Sequence, residues 1–142
     1  MHRRDALLAI LGTAEGRTFS PVQLQKAAFL VARNAPHIFD ADSVFSFEPY
    51  DYGPFDRDVY SEATALEMQG LATVSRTARY SEYAASDAGV AAARQKLVEL
   101  PEATRKYIEE VVAWVRTVGF ATLVKSIYAQ YPEMRENSIF QG

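Results

Sequence analysis

Ser46-Phe47-Glu48-Pro49-Tyr50-Asp51-Tyr52-Gly53-Pro54-Phe55-Asp56-Arg57-Asp58 lies between two segments of helical patterning, and its middle, Pro49–Phe55, holds three aromatics, two prolines and one glycine. Pro49 and Pro54 fix their own φ and bias Glu48 and Gly53 away from helical backbone. Gly53 supplies a φ that Tyr or Phe takes only at a cost. Phe47–Phe55 is therefore expected to be a rigid, non-helical, mostly buried crossing anchored by Tyr50, Tyr52 and Phe55, rings that each bury roughly 150–250 Å². Connectors normally run over the surface and are polar, so an aromatic one must dock onto something. Two readings of the block stand side by side: a structural plug, or an aromatic surface that faces a partner.

Upstream, Asp5–Ala14 carries Leu7, Leu8, Ile10 and Leu11 and reads as a short first helix. Ser20-Pro21-Val22-Gln23 is a helix start in which Ser20 caps, Pro21 takes the first turn and Gln23 completes a capping box. Leu24, Ala27, Ala28 and Val31 recur at one-face spacing, so this helix runs to Asn34 and Pro36 ends it. His37–Ser46 reads as a loop with an extended piece at Val44–Phe47. Downstream, Asp56 caps a third helix lined by Val59, Ala63 and Leu66 and stopped at Gly70. Leu71–Val74 and Arg79–Ala84 read as a β-hairpin with Ser75–Ala78 between them. Ser86 or Asp87 caps a fourth helix to Val98, and Pro101 opens a fifth, with Ile108, Val111, Val112, Val115 and Val118 as its apolar stripe. Phe120, Leu123, Val124, Ile127, Tyr128 and Tyr131 form the stripe of a sixth, closed by Pro132. The tail 133–142 ends in Ile139-Phe140, a pair placed to tuck back.

This order predicts a mainly α fold with a small β-hairpin: a winged-helix-like core with a C-terminal helical extension, and a three-stranded wing if Val44–Phe47 pairs with the hairpin. With no repeat, linker or low-complexity segment, residues 1–142 read as a single domain. Hydrophobic residues at 49% and charged residues at 23% describe a globular chain. The apolar run after Met1-His2-Arg3-Arg4 is too short for a signal peptide, and no stretch reaches the length of a membrane span, so a cytoplasmic protein with no membrane association is expected.

Little in the chain points to catalysis. With no cysteine there is no disulfide, thiolate nucleophile or Cys-ligated zinc. His2 and His37 are the two histidines and have no metal-binding spacing; Asp40, Asp42 and Glu48 read as a solvated loop face. No phosphate-binding glycine loop or Gly-x-Ser-x-Gly motif occurs, so neither a catalytic residue nor a cofactor is assigned.

A winged helix invites a DNA-binding reading, but fold is not function. The net charge is −3 and the sequence pI about 5.4, a poor electrostatic footprint for nucleic acid. The third helix, which would enter the groove, carries Asp56, Asp58, Glu62 and Glu67 against Arg57 alone, whereas phosphate contact needs Lys or Arg. Arg76 and Arg79 at the hairpin, joined by Arg3 and Arg4, are the DNA contacts of this alternative. Protein binding is the leading reading: Tyr107, Trp114, Phe120, Tyr128 and Tyr131 add rings to the C-terminal half, most of them expected in the core, and any left exposed beside Tyr50 and Tyr52 would make a partner surface, because interface centres favour Tyr, Trp and Arg.

Leu24-Gln25-Lys26, Phe47-Glu-Pro-Tyr-Asp-Tyr-Gly-Pro-Phe55, Val59-Tyr60, Leu66, Gly70-Leu71 and Ser86-Asp-Ala-Gly89 resemble the Panacea-domain (SocA-like antitoxin) family. The related YwgA-like proteins share a Tyr-Pro pair, here Tyr131-Pro132. The resemblance spans residues 5–132, and its specific core is the 47–55 signature block. It implies a helical fold with a small hairpin, no known catalysis, and neutralisation of unrelated toxins, with other members in phage-defence settings. Carried over, Tyr50, Tyr52, Gly53, Pro54 and Phe55 are the signature residues. Two positions depart: Asp56 stands where members usually have Ser, and Ala85-Ser86 where Leu-Thr is usual, which leaves a defence-system accessory subunit as an alternative. The expectation is a non-catalytic binder of a toxin or defence-system protein, contacting it through Tyr50, Tyr52, Phe55, Arg57 and Tyr60, with a homodimer compatible with the sequence.

Overall fold

The computed structural model describes residues 1–76 and 79–141. Its described residues form six α-helices and two small antiparallel sheets: α1 (Arg3–Thr13), α2 (Pro21–Asn34), β1 (Glu48–Tyr50), β2 (Gly53–Phe55), α3 (Arg57–Met68), β3 (Ala72–Ser75), β4 (Glu82–Ala85), α4 (Asp87–Leu97), α5 (Glu102–Thr117) and α6 (Phe120–Gln130). No helix among them is long and apolar enough to cross a membrane.

The centre of the molecule is α1. Every residue from Ala6 to Gly12 is buried, so the helix is apolar all round and must be covered on all sides. It packs on α3, α4, α5 and β4. Its approach to α4 is closest at Gly12, where a Cβ would lie 2.1 Å from the Cβ of Ala93. Gly89 plays the matching part on α4, because a Cβ there would stand 1.8 Å from the carbonyl oxygen of Leu71. Small residues let backbones meet where any larger side chain would collide.

Local signals set most element ends. The capping box of α2 is formed: Ser20 Oγ accepts from Gln23 N at 3.2 Å and Gln23 Oε1 accepts from Ser20 N at 2.8 Å. Asp56 caps α3 through Oδ1 on Asp58 N at 2.8 Å. At α4 the cap is Ser86 and not Asp87: its hydroxyl accepts from Gly89 N at 3.0 Å and donates to Gly70 O at 2.7 Å. Pro101 stands one position earlier than expected, as the residue preceding α5.

Three expectations need correction. Phe47–Phe55 is not a buried crossing but a second hairpin, with Glu48 opposite Phe55, Pro49 opposite Pro54 and Tyr50 opposite Gly53. Strand alternation turns Tyr50 outward with Glu48, and Tyr52 stands at the turn, so Tyr50 is 53% and Tyr52 37% exposed. Second, Val44–Phe47 forms no strand. The β3–β4 hairpin, in register from Ala72 opposite Ala85 to Ser75 opposite Glu82, instead takes Phe19 beside Tyr83. Phe19 N donates to Tyr83 O at 2.7 Å and Tyr83 N to Phe19 O at 2.9 Å, while Phe45 and Phe47 are held by ring contacts with Phe39 and Phe29. Third, the second strand begins at Glu82, not Arg79; of the expected turn, Thr77 and Ala78 lie outside the described residues.

The tail folds back as expected. Ile139 N donates to Asp51 O at 3.0 Å, Asn137 Nδ2 donates to Pro49 O at 3.2 Å, and the Phe140 ring meets Phe120 edge-on at 5.9 Å.

Candidate functional site

The 47–55 block sits over α2 and beside α6. Gly53 makes this seat possible: its φ is +106°, and a Cβ would stand 3.4 Å from both Lys26 Nζ and Tyr128 Cε1. The rings of the block then join others across the surface. Tyr50 stacks on Phe55 at 4.8 Å, Phe55 meets Tyr60 at 5.8 Å, and Tyr60 stacks on Tyr83 at 5.6 Å. In the other direction Tyr52 meets Phe120 at 5.2 Å, and Phe120 leads on to Phe140. Phe120 is 47% exposed. Tyr50 and Tyr52 on the hairpin, and Phe120 against Tyr52, thus each leave part of a ring exposed to solvent.

Beside these rings runs a groove of about 820 Å³. Tyr52, Tyr80, Val118 and Phe120 supply apolar walls, and Arg79 and Arg116 bring positive charge against Glu82. Arg116 is fixed there: its Nε donates to Thr18 O at 2.9 Å and its guanidinium lies over the Phe19 ring at 5.9 Å.

The remaining expected contacts divide. Phe55 and Tyr60 are half-buried. The Tyr60 hydroxyl donates to Pro21 O at 3.3 Å, and burial pushes its pKa up to about 12, so it ties α3 to α2 as a neutral phenol. Arg57 is exposed at the start of α3 and lines neither the groove nor the cavity under the hairpin.

The acidic charge of α3 is largely matched from outside the helix. Glu62 accepts from Arg3 Nε at 2.6 Å and Arg4 Nε at 2.9 Å, while Arg3 also reaches Asp58 at 2.9 Å. Burial alone would raise the Glu62 pKa, but the two arginine hydrogen bonds outweigh it and hold the carboxyl below its usual range. Arg76 pairs with Glu67 at 3.2 Å. Arg3, Arg4 and Arg76 are therefore each engaged by α3 carboxylates, and Arg79 faces the groove.

Sequence reasoning missed Lys26. It is 2% exposed on α2 among Leu24, Ala27, Ala28 and Phe29. Burial, with no compensating carboxylate among the described residues, lowers its pKa to about 7. Next to it, Gln25 clamps the backbone of Asp56, donating from Nε2 to Asp56 O at 2.9 Å and accepting Asp56 N at 3.0 Å. The Tyr128 hydroxyl is buried and has no hydrogen-bond partner among the described residues. Lys26 lies off the Leu24, Ala27, Ala28 and Val31 face, so helical spacing gave no signal of its burial, and lysine is almost never fully buried unless paired.

Among the described residues no group of three or more His, Cys, Asp or Glu side chains is disposed to hold a metal ion. His37 is within 3.2 Å of Thr104 Oγ1, and His2 Nδ1 accepts from Arg4 N at 3.0 Å. No protein-family model matches the chain, and no curated protein matches it.

Proposed function

We propose that the protein is a non-catalytic protein-binding module, an antitoxin-like neutraliser of a toxin or phage-defence protein acting in the cytoplasm. The observation that carries this reading is the pair of partly exposed rings Tyr52 and Phe120, in edge contact and lining a groove edged by Arg79 and Arg116, with the exposed Tyr50 on the same hairpin. Tyr and Arg around a desolvatable apolar centre are the usual composition of binding hot spots. The likeness of the 47–55 block to the SocA-like antitoxins supports the neutralising role.

The succession α1, α2, α3, β3, β4 supports a winged-helix-like core, with α5 and α6 as its extension. DNA binding is the weaker reading of that core, because Arg3, Arg4 and Arg76 beside α3 are already paired with its carboxylates and α3 itself carries one cation, Arg57.

Affinity capture with the natively expressed protein, followed by co-expression with the product of the adjacent gene, tests the proposal. A stable complex and rescue of growth are expected. Absence of both, or a salt-sensitive DNA band shift in their place, overturns it.

A further inference from the structure

We propose that the cavity beneath the turn of the β1–β2 hairpin is a carboxylate-binding site, in which Lys26 receives an acidic side chain of the partner protein. This rests on the protein-binding reading above and names the chemistry that the partner must carry.

The cavity measures about 220 Å³ and is lined by Gln25, Lys26, Tyr50, Asp51, Tyr52 and Tyr60 among others. Lys26 rises into it from α2. Among the described residues no carboxylate pairs with it, and burial is the cause of its lowered pKa. A buried amine without an acceptor is costly, and an alkyl side chain would occupy the same position without that cost. The turn of the hairpin lies against the amine: at Gly53, whose φ of +106° calls for glycine, a Cβ would stand in van der Waals contact with Nζ at 3.4 Å. An oxygen anion delivered from outside would relieve the amine and return it to its protonated form.

Size selects the occupant. Small-molecule sites commonly hold roughly 300–1,000 Å³, so a cavity of about 220 Å³ is too small for most cofactors and suits one side chain. Tyr50 and Tyr52 belong both to its wall and to the exposed aromatic face. A partner seated on that face is thus positioned to push a Glu or Asp between the rings. Glutamate fits best in kind, with methylenes along the tyrosines and the carboxylate at Nζ.

Asp51 also lines the cavity and opposes an entering anion. It is half-exposed on the turn, where water screens its charge, whereas Lys26 acts from a low-dielectric position where Coulomb forces are several-fold stronger. The Tyr60 phenol stays neutral and Gln25 is committed to Asp56. The balance at the floor therefore favours the anion. A partner without the acidic residue would bury the amine unpaired, which gives the site discrimination as well as affinity.

The test follows Lys26 in the wild-type protein by carbon NMR of labelled lysine side chains across a pH titration. N-acetyl-glutamate α-amide is the probe and N-acetyl-glutamine α-amide its uncharged control. The glutamate compound is expected to raise the Lys26 midpoint by about one pH unit or more; the glutamine compound should leave it in place. Lys26→Met assigns the signal and should abolish the probe's effect on the Tyr50 and Tyr52 rings. An unmoved midpoint, or equal movement with both compounds, overturns the proposal. The measurement needs no partner. A carboxylate response without any captured protein would count against the neutraliser and leave the site standing, and the converse would remove the site alone.

Discussion

Arg3 Nε and Glu62 Oε2 meet at 2.6 Å, and the same carboxylate, only 5% exposed, holds Arg4 at 2.9 Å. One acidic residue of α3 thereby fastens the start of α1. Glu62→Ala should cost about 2–3 kcal/mol: breaking a buried pair costs more, but both arginines keep some access to water. Urea unfolding of the variant against wild type measures it, and a loss under 0.5 kcal/mol would deny the carboxylate this role.

The same pair sets an acid limit. Glu62 titrates below its ordinary 4.5 in the folded protein. Its contribution is complete above that value and is lost as pH falls through the lower, folded one. Glu62→Gln should therefore flatten part of the stability loss seen on acidification, measured as urea midpoints from neutral pH to pH 3.

Lys26 predicts the opposite slope on the alkaline side. Its pKa falls from 10.5 in the open chain to about 7 when folded, so unfolding takes up a proton between those values and stability rises with pH across that window. Tyr60, held protonated to about 12 against an ordinary 10.0, reverses the trend above pH 10. Lys26→Met should stabilise the free protein below pH 7 by roughly 1–4 kcal/mol, with the difference shrinking towards pH 10. A variant equally stable, or less stable, at pH 6 would contradict the buried, unpaired amine.

Much of this fold could be read from residue patterns, because the signals were local. Ser20 and Gln23 close a capping box, Asp56 and Ser86 cap, and the stripe Ile108, Val111, Val112 and Val115 is buried as spaced. What escaped depended on distant partners. The depth of α1 depends on α3, α4 and α5 covering it from other parts of the sequence. The signature block announced its bend but not its exposure, since hairpin pairing decided which way Tyr50 turned. Lys26 escaped for the same reason: its surroundings include the β1–β2 hairpin, more than 20 residues further along the chain.

Gly12 and Gly89 should tolerate no side chain. A Cβ at Gly89 would lie 1.8 Å from a backbone oxygen, which cannot swing aside. Gly89→Ala is expected to lower stability by at least 1–3 kcal/mol, the usual cost of overpacking, read as a fall in Tm. Gly119→Ala, with nothing within 4 Å, is the control and should do far less.

On the aromatic face the expected split is between binding and folding. Tyr52→Ala and Phe120→Ala remove partly exposed rings that also touch each other and Phe140, so Tm should fall modestly, while affinity for the captured partner should drop by about 2 kcal/mol each, roughly thirtyfold. Calorimetric titration beside a thermal melt checks both halves. Unchanged affinity in the double variant would remove the face from the interface.

The rings of that face come from widely separated stages of synthesis. Tyr50 and Tyr52 leave the ribosome early, Phe120 late, and Ile139 and Phe140, which clasp Asp51 and Phe120, later still. A nascent chain halted before residue 120 carries the hairpin but not the surface beside it. The face is therefore assembled only after α6 has been made, however early the hairpin itself forms.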